Sequence, residues 1–361
     1  MKKFLKIILC IFIVIILVIG GYASVLTLSY YRIEDNQINS IQNRSTLKIQ
    51  NNVSYSIMTY NIGFGAYSQD FSFFMDGGSD SIAKNKKEVL KNTNGVLNIL
   101  KEEDPDFIFL QEVDIKANRS HFVNQHQHIS QEFNDFSHVH TINFHSQFLF
   151  YPLLKPHGKV LSGLSFLSKY HIDKSVRRSL PVDNSWPTKF FDLDRALQVN
   201  RFSIENSSQE LVLINAHLSA YDKGGIIRQK QMKMVNAILQ QEKKLNNYVI
   251  IGGDYNHDLI GDKGINFTNQ KVPEWVQEFP KDTLVEGYHV VSLNNAPTVR
   301  STDVPYDKRE VGKDKDNFFC VVDGFIVSDN LTIHLEQSQN IDTEFLFSDH
   351  NPVKLVFEIV S

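Results

Sequence analysis

The sequence predicts an α/β fold, and three observations predict it. Short apolar runs rich in β-branched and aromatic residues recur between Gly, Asn, Asp and Pro, as in VSYSIMTYNI, DFIFLQEV, ELVLINAHL and YVIIGGD. Such runs read as buried strands. Two longer stretches, Ser81–Glu103 and Ile226–Glu242, carry apolar residues at roughly helical spacing. The strand-like runs also close on polar side chains, which is how loops gather chemistry at the end of a rigid scaffold.

Composition bounds the rest. The chain has 361 residues, 42% hydrophobic and 22% charged, with a net charge of −4. These values fit an ordinary globular protein and argue against one that coats itself in duplex DNA. Of the two cysteines, Cys10 lies in the apolar N-terminus and Cys320 stands alone. That excludes a disulfide within the soluble part and any zinc–thiolate centre.

Residues 1–31 hold Lys2, Lys3 and Lys6, then an uncharged run from Ile7 to Tyr31 long enough to span a bilayer. The preceding lysines favour an N-inside orientation, with the remainder outside the cytoplasm. An uncleaved anchor is the favoured reading. Cleavage near Gly21-Tyr22-Ala23, giving a secreted chain, is the alternative. Residues 32–52 are rich in Asn, Gln and Ser and read as a polar linker. Residues 53–361 read as one domain.

Within it, Val53–Ile62 alternates as a strand and ends at Asn61. Asp106–Val113 ends at Glu112, which alone reads equally as a charge leaving the core. His121–His145 holds six histidines whose spacings match no compact ligand set, so they read as surface polar residues. Glu210–Leu218 places His217 at a strand terminus. In Tyr248–Asp258, Gly252 and Gly253 are expected to break the strand, and Asp254 and Asn256 to point the same way in an extended exit. That stretch alone is also an ordinary turn sequence. Gly261–Asp316 is long and irregular and reads as loops over one end of the sheet. Phe318–Ser328 reads as one strand interrupted by Asp323, a carboxylate that is costly there unless paired. Asp349-His350 suits acid–base work, since a carboxylate can hold an imidazole in one tautomer, and alone it also reads as a helix-cap or turn sequence.

In order, the endings are TYNI, LQEV, NAHLSAY, GGDYN, VVDGF and SDHNPV. Together they resemble the endonuclease/exonuclease/phosphatase superfamily, which includes DNase I-like nucleases, neutral sphingomyelinases and inositol-phosphate phosphatases. The resemblance runs from about Ser54 to Ile359. HGKVLSGLSFLSKY, WPTKFFDLDRAL and NAHLSAYDKGGIIRQKQM are similar to a bacterial branch with an N-terminal membrane segment. The resemblance implies a four-layer α/β/β/α sandwich of two mixed sheets flanked by helices. It implies phosphoester hydrolysis with a divalent cation, Mg2+ or in its place Mn2+. Glu112 resembles the main metal ligand, Asn61 its neighbour and Asp349 a second acidic position near the metal. Asp254 resembles the group that activates water, with Asn256 orienting it or the phosphate. His217 and His350 resemble the pair that contacts the phosphate, and Asp323 the partner of His350.

The implied partners are a phosphoester substrate (a lipid head group, nucleic acid or small phosphodiester) and the membrane, with no obligate protein partner. Two other functions compete. A nuclease of the same chemistry would need a basic groove, for which Lys169, Arg177, Arg178, Lys189 and Arg195 are the candidates. An inactive module binding a phosphorylated ligand would have no need of a water activator.

Overall fold

Each central strand has two apolar faces, so each sheet must be covered on both sides. The computed structural model describes residues 1–43, 45–190, 192–220, 222, 225–312 and 316–360. Phe191, Tyr221, Lys223 and Gly224, within the quoted branch segments, and Ser361 lie outside the described residues.

In chain order the N-terminal half holds α1 (Lys2–Ser29), β1 (Gln37–Ile38), β2 (Ser54–Asn61), α2 (Lys86–Glu103), β3 (Phe107–Asp114), α3 (Gln125–Glu132), β4 (Ser137–Leu149) and β5 (Gly158–Ser168). Then come β6 (Lys174–Ser179), β7 (Ala196–Ser203), β8 (Glu210–His217), α4 (Ile226–Lys244) and β9 (Tyr248–Asp254). The last part holds β10 (Tyr288–Val291), β11 (Val299–Arg300), β12 (Phe319–Cys320), β13 (Asp323–Ser328), β14 (Leu331–Ile333), β15 (Gln339–Asn340) and β16 (Val353–Ile359). One sheet runs β14-β16-β2-β3-β5-β4, with β15 beside β16. The other runs β1-β6-β7-β8-β9-β13-β10, and β11 and β12 pair separately. β2 and β3 are parallel, as are β8 and β9, while the other pairings are antiparallel, so both sheets are mixed.

Strand parity assigns the layers. Ile57, Phe107, Phe109, Phe166 and Phe357 of one sheet meet Phe202, Leu211, Leu213, Ile250 and Phe325 of the other in a shared core. Their neighbours face outward. Met58, Tyr60, Ile108 and Leu110 pack with Val96, Leu97 and Leu100 of α2 and Ile129 of α3. Val212, Ile214, Val249 and Ile251 pack with Met232, Val235, Ile238 and Leu239 of α4. The result is the expected α/β/β/α sandwich. Burying each such side chain is worth about 1.5–3 kcal/mol, so the strands stay where both faces are covered.

Several elements differ from expectation. α2 starts at Lys86, because Asn85 caps it by accepting the Glu88 N–H at 2.9 Å. Residues 32–52 do not stand off as a linker. Gln37–Ile38 adds a strand beside β6, Arg32 pairs with Asp194 at 2.8 Å, and Ile49 is buried in the shared core. Ile49, with Ile41 packed against the same core, supplies its apolar attachment. Gly252 and Gly253 do not break the strand but lie inside β9. A Cβ at Gly252 would meet the Phe325 ring at 2.6 Å, and one at Gly253, where φ is +149, would lie 1.9 Å from the Ala216 carbonyl oxygen. Phe318–Ser328 is two strands, since the Thr298 hydroxyl accepts the backbone N–H groups of Val322 and Asp323 at the break.

Three of the six histidines are not surface residues. His126 on α3 lies against His138 and His140 of β4, with ring centroids 5.2 and 5.0 Å away. The Ser165 hydroxyl lies 3.0 Å from a nitrogen of both His126 and His140. α3 escapes a periodicity search because it is one short helix with few apolar residues. Burial, and then the neighbouring His138, push His126 down to about 4, while burial puts His140 well below its ordinary range.

These rings are neutral in the folded protein and take up protons near 6.5 when unfolded. Their contribution to stability is therefore full above about pH 6.5 and falls as pH drops towards 4. Between pH 7.5 and 5, His126 alone should account for a loss of about 2 kcal/mol. Unfolding curves of the full chain in detergent at the two pH values measure it. His126→Gln should flatten the dependence by that amount, and an unchanged slope would contradict it.

Candidate active site

Inner-face parity sets the floor of the site. Along β2 the inward residues run Ile57, Thr59, Asn61; along β8, Leu211, Leu213, Asn215, His217; along β9, Ile250, Gly252, Asp254. Each begins apolar, and the outermost residues are polar. An amide layer separates the two zones: Gln111 Nε2 donates to Asn215 Oδ1 at 2.7 Å and to the Thr59 hydroxyl at 3.0 Å, joining the two sheets. Because β8 and β9 are parallel, and β13 starts opposite the end of β9, the polar ends share one edge. The start of β16 opposite the end of β2 brings Asp349 and His350 to the same edge.

Asp254 lies at the centre, almost wholly buried. Its Oδ2 accepts the Asn61 amide at 3.0 Å and lies 3.3 Å from His217 Nε2 and 3.7 Å from His350 Nε2. Its Oδ1 accepts the Asn256 backbone N–H at 2.9 Å. Asp323 sits opposite Asp254 in the β9–β13 register, and His350 Nδ1 donates to its Oδ2 at 2.8 Å. The pairing tolerates two buried carboxylates because the ring lies between them.

The rim is more open. Glu112 has φ +55 at a bulge between Leu110 and Val113, and lies 3.5 Å from the Asn61 amide. The bulge takes Glu112 out of the strand alternation and turns it towards the cleft. Asp349 is held through its loop. Ser348 Oγ donates to the Asn61 carbonyl at 2.7 Å, and the Arg300 N–H to the Asp349 carbonyl at 2.9 Å. Asn256 departs from the extended exit. With φ +49, it donates its side-chain amide to the Leu218 carbonyl at 2.9 Å, tying the exits of β8 and β9 together.

Charge distinguishes the two histidines. Burial works against a charged His350, but Asp323, Asp254 and Asp349 together outweigh it and raise the ring to about 10. Burial, with Arg195 and His350 nearby, puts His217 well below its ordinary range, so it is neutral. The expected phosphate-contacting pair therefore contains one cation. Burial raises Asp254 to about 6 against the opposing charge of His350, with Asp323 adding to the rise. Asp349 also rises to about 6 through burial, opposed by His350 and Arg300, with Glu112 adding.

Among the described residues, Asp254, Asp323 and His350 are the group whose ligand atoms converge within 4.8 Å. They are already engaged with one another and lie beneath the rim. Glu112 and Asp349 offer hard oxygen donors nearer the surface, with the buried Asn61 amide beside Glu112, and the mutual repulsion of Glu112 and Asp349 is what a divalent cation relieves. This donor set fits a magnesium-type ion. Three arginines escaped sequence reasoning. Arg119 forks onto both oxygens of Asp114 at 2.9 and 3.1 Å, lies 3.9 Å from Glu112 and covers the Phe64 ring at 3.8 Å. Arg300 is buried under the Asp349 loop. Arg195, one of the groove candidates, donates to the His217 carbonyl at 3.3 Å. No local pattern marks them.

The other groove candidates are engaged too. Lys169 pairs with Asp104 at 3.0 Å, Arg177 bonds the Ile142 and Asp194 carbonyls at 2.9 Å each, Arg178 pairs with Asp35 at 3.2 Å, and Lys189 lies 4.9 Å from the Tyr30 ring.

A family profile described as Endonuclease/Exonuclease/phosphatase family matches residues 58–350. No curated protein matches the chain in sequence. Among solved structures, an endonuclease/exonuclease/phosphatase family protein from Leptotrichia buccalis aligns with TM-score 0.55 and 16% identity, over 84% of this chain and 99% of that one. The human nocturnin catalytic domain with bound sulfate gives 0.53 and 14%, over 89% and 98%. ANGEL2, a 2′,3′-cyclic phosphatase in complex with adenosine-2′,3′-vanadate, gives 0.52 and 14%, over 91% and 99%. At such identities the likeness is one of fold.

The charge on His350 is testable directly. NMR of the labelled ring should find it protonated through pH 8, and Asp323→Asn should lower its titration by about 1–3 pH units. A ring that titrates near 6.5 in both proteins would contradict the pairing.

Proposed function

The chain belongs to the endonuclease/exonuclease/phosphatase family, whose members hydrolyse phosphoesters, and on that premise we propose a membrane-tethered, extracytoplasmic, divalent-metal-dependent phosphoester hydrolase. The observation that carries this reading is the buried Asp254, held by Asn61, His217 and the Asn256 N–H beside a protonated His350.

Asp254 takes the proton of the attacking water. Its donors leave lone pairs free on a carboxylate that can accept about four bonds. A carboxyl raised to about 6 is a stronger base than an ordinary one and is still ionised at neutral pH. His217, neutral, donates Nε2–H to Asp254 and holds its plane. Asn256 fixes the other oxygen through its backbone, and its side chain braces the turn. His350 presents Nε2–H⁺ to a phosphoryl oxygen, where negative charge grows in the transition state. Asp323 keeps that ring charged and aimed. Glu112, Asp349 and Asn61 would hold Mg2+, or Mn2+ in its place. When bound, such an ion draws charge from a phosphoryl oxygen.

The tether is α1. Among the described residues it is the one helix long and apolar enough to cross a membrane, with a mean hydropathy of 3.0 over its best window and none of that window buried. Lys2, Lys3 and Lys6 before it favour an outside location for the domain.

A panel of DNA, RNA, sphingomyelin, phosphoinositides and a chromogenic phosphodiester, with and without EDTA, tests the reading. Hydrolysis of at least one that EDTA abolishes is expected, and none at any magnesium concentration would sink it. In the active assay, Glu112→Gln should keep the fold and raise the magnesium needed for half-maximal rate by about tenfold or more. An unchanged requirement would remove Glu112 from the metal site.

A further inference from the structure

β4 and β5 are joined by FYPLLKPH, and the side chains at its tip are unusually open. Tyr151 is 68% exposed, Leu153 82% and Leu154 98%. Single exposed apolar residues are unremarkable, but a contiguous cluster marks a surface that meets something. From Phe136 to Ile172 the chain has no Asp or Glu, and Lys155 and Lys159 follow the cluster, both exposed. An apolar tip with flanking lysines is suited to the boundary between acyl chains and phosphate headgroups.

Its position beside α1 selects the occupant. Tyr31 stacks on His145 at 4.5 Å, Gln147 donates to the Ser29 carbonyl at 3.3 Å, the Tyr22 hydroxyl donates to the Phe148 carbonyl at 2.7 Å, and Tyr22 packs on Phe150 at 4.2 Å. As the chain advances from His145 to Phe150, its contact retreats from Tyr31, just past the helix, to Tyr22 within it. The connection thus climbs back along α1 from Ser29 to Tyr22, about 10 Å at 1.5 Å per residue. A hydrocarbon core of about 30 Å takes roughly 20 helical residues. Counted from Ile7, just after the last lysine, that span ends near Leu26. Tyr22 then lies at the outer margin of the core, and so does the tip beside it.

The tip also belongs to the catalytic edge. β5 pairs with the end of β3 at Asp114 and Ser162, so everything before Ser162 projects beyond that edge. Tyr151 packs on Phe74 at 5.5 Å, Phe74 and Phe64 each on His157 at 6.3 Å, and Phe64 lies under Arg119, the neighbour of Glu112.

We propose that Phe148–Leu154 is a second membrane contact: Phe150, Tyr151, Leu153 and Leu154 enter the interface of the bilayer that α1 spans and hold the catalytic edge of the sandwich against it. The proposal rests on the reading of α1 as an anchor. One helix alone leaves the domain free to swivel, whereas a second contact on the catalytic edge sets which side faces the lipid.

The test uses the full chain in phosphatidylcholine/phosphatidylglycerol vesicles, with Cys10→Ser so that only the buried Cys320 remains. A polarity-sensitive fluorophore goes on Leu154→Cys or, at the far end of the sandwich, on Ser208→Cys. Brominated lipid should quench the label at 154 by about half or more and leave the one at 208 unchanged. A label at 154 as unquenched as that at 208, whether open to water or buried between two copies of the chain, overturns the proposal. Alkaline carbonate extraction is scored separately. Release of the chain refutes the anchor, while quenching still decides the tip. In a paired assay, Leu153→Asp with Leu154→Asp should slow hydrolysis of a vesicle-borne phosphodiester about tenfold while a soluble chromogenic one is turned over as before. Equal effects on the two would also overturn it.

Discussion

Two buried carboxylates face each other across adjacent strands, and much of the site depends on what lies between them. Asp254 and Asp323 are register partners in β9 and β13. In an apolar surrounding such a pair repels, and one member would take up a proton. The His350 ring, 2.8 Å from one and 3.7 Å from the other, supplies the compensating charge. Removing one partner of a buried ion pair costs about 3–5 kcal/mol, because the remaining charge is left uncompensated. The loop that carries His350 is accordingly pinned, through Ser348 to the Asn61 carbonyl and through Arg300 to the Asp349 carbonyl.

The sandwich converts strand parity into a gradient along its interior. Deep in the shared core the inner faces are aromatic and aliphatic, then come Thr59, Gln111 and Asn215, and then the ionisable groups. The Gln111 amide donates across the two sheets to Asn215 and so ties them together just below the cleft. Gly252 serves the same end, since any side chain there would collide with Phe325 and Phe109.

The fold was legible because runs such as FIFL and YVII carry their burial on both faces. Asn61, His217 and Asp254 were legible because each closes such a run. What a linear reading cannot contain is register. It takes the β9–β13 pairing to bring Asp323 opposite Asp254, and a bulge in β3 to turn Glu112 towards Asn61. The split of Phe318–Ser328 depends on Thr298, more than twenty residues upstream. Arg119 and Arg300 gain their meaning only from folded neighbours. Residues 32–52 differ from the expected linker because their polar majority hides Ile41 and Ile49, which pack on the shared core. The charge on His350 and the neutrality of His217 are likewise properties of the assembled cleft, since the two rings differ in how many carboxylates surround them.

In the proposed function, Asp254 is the group that takes the proton from water. Asp254→Asn preserves shape and hydrogen-bonding size while removing the basic oxygen. With magnesium saturating and the unfolding transition unchanged, kcat for a chromogenic phosphodiester should fall by about 10²–10⁴. A variant that keeps wild-type kcat would contradict this role.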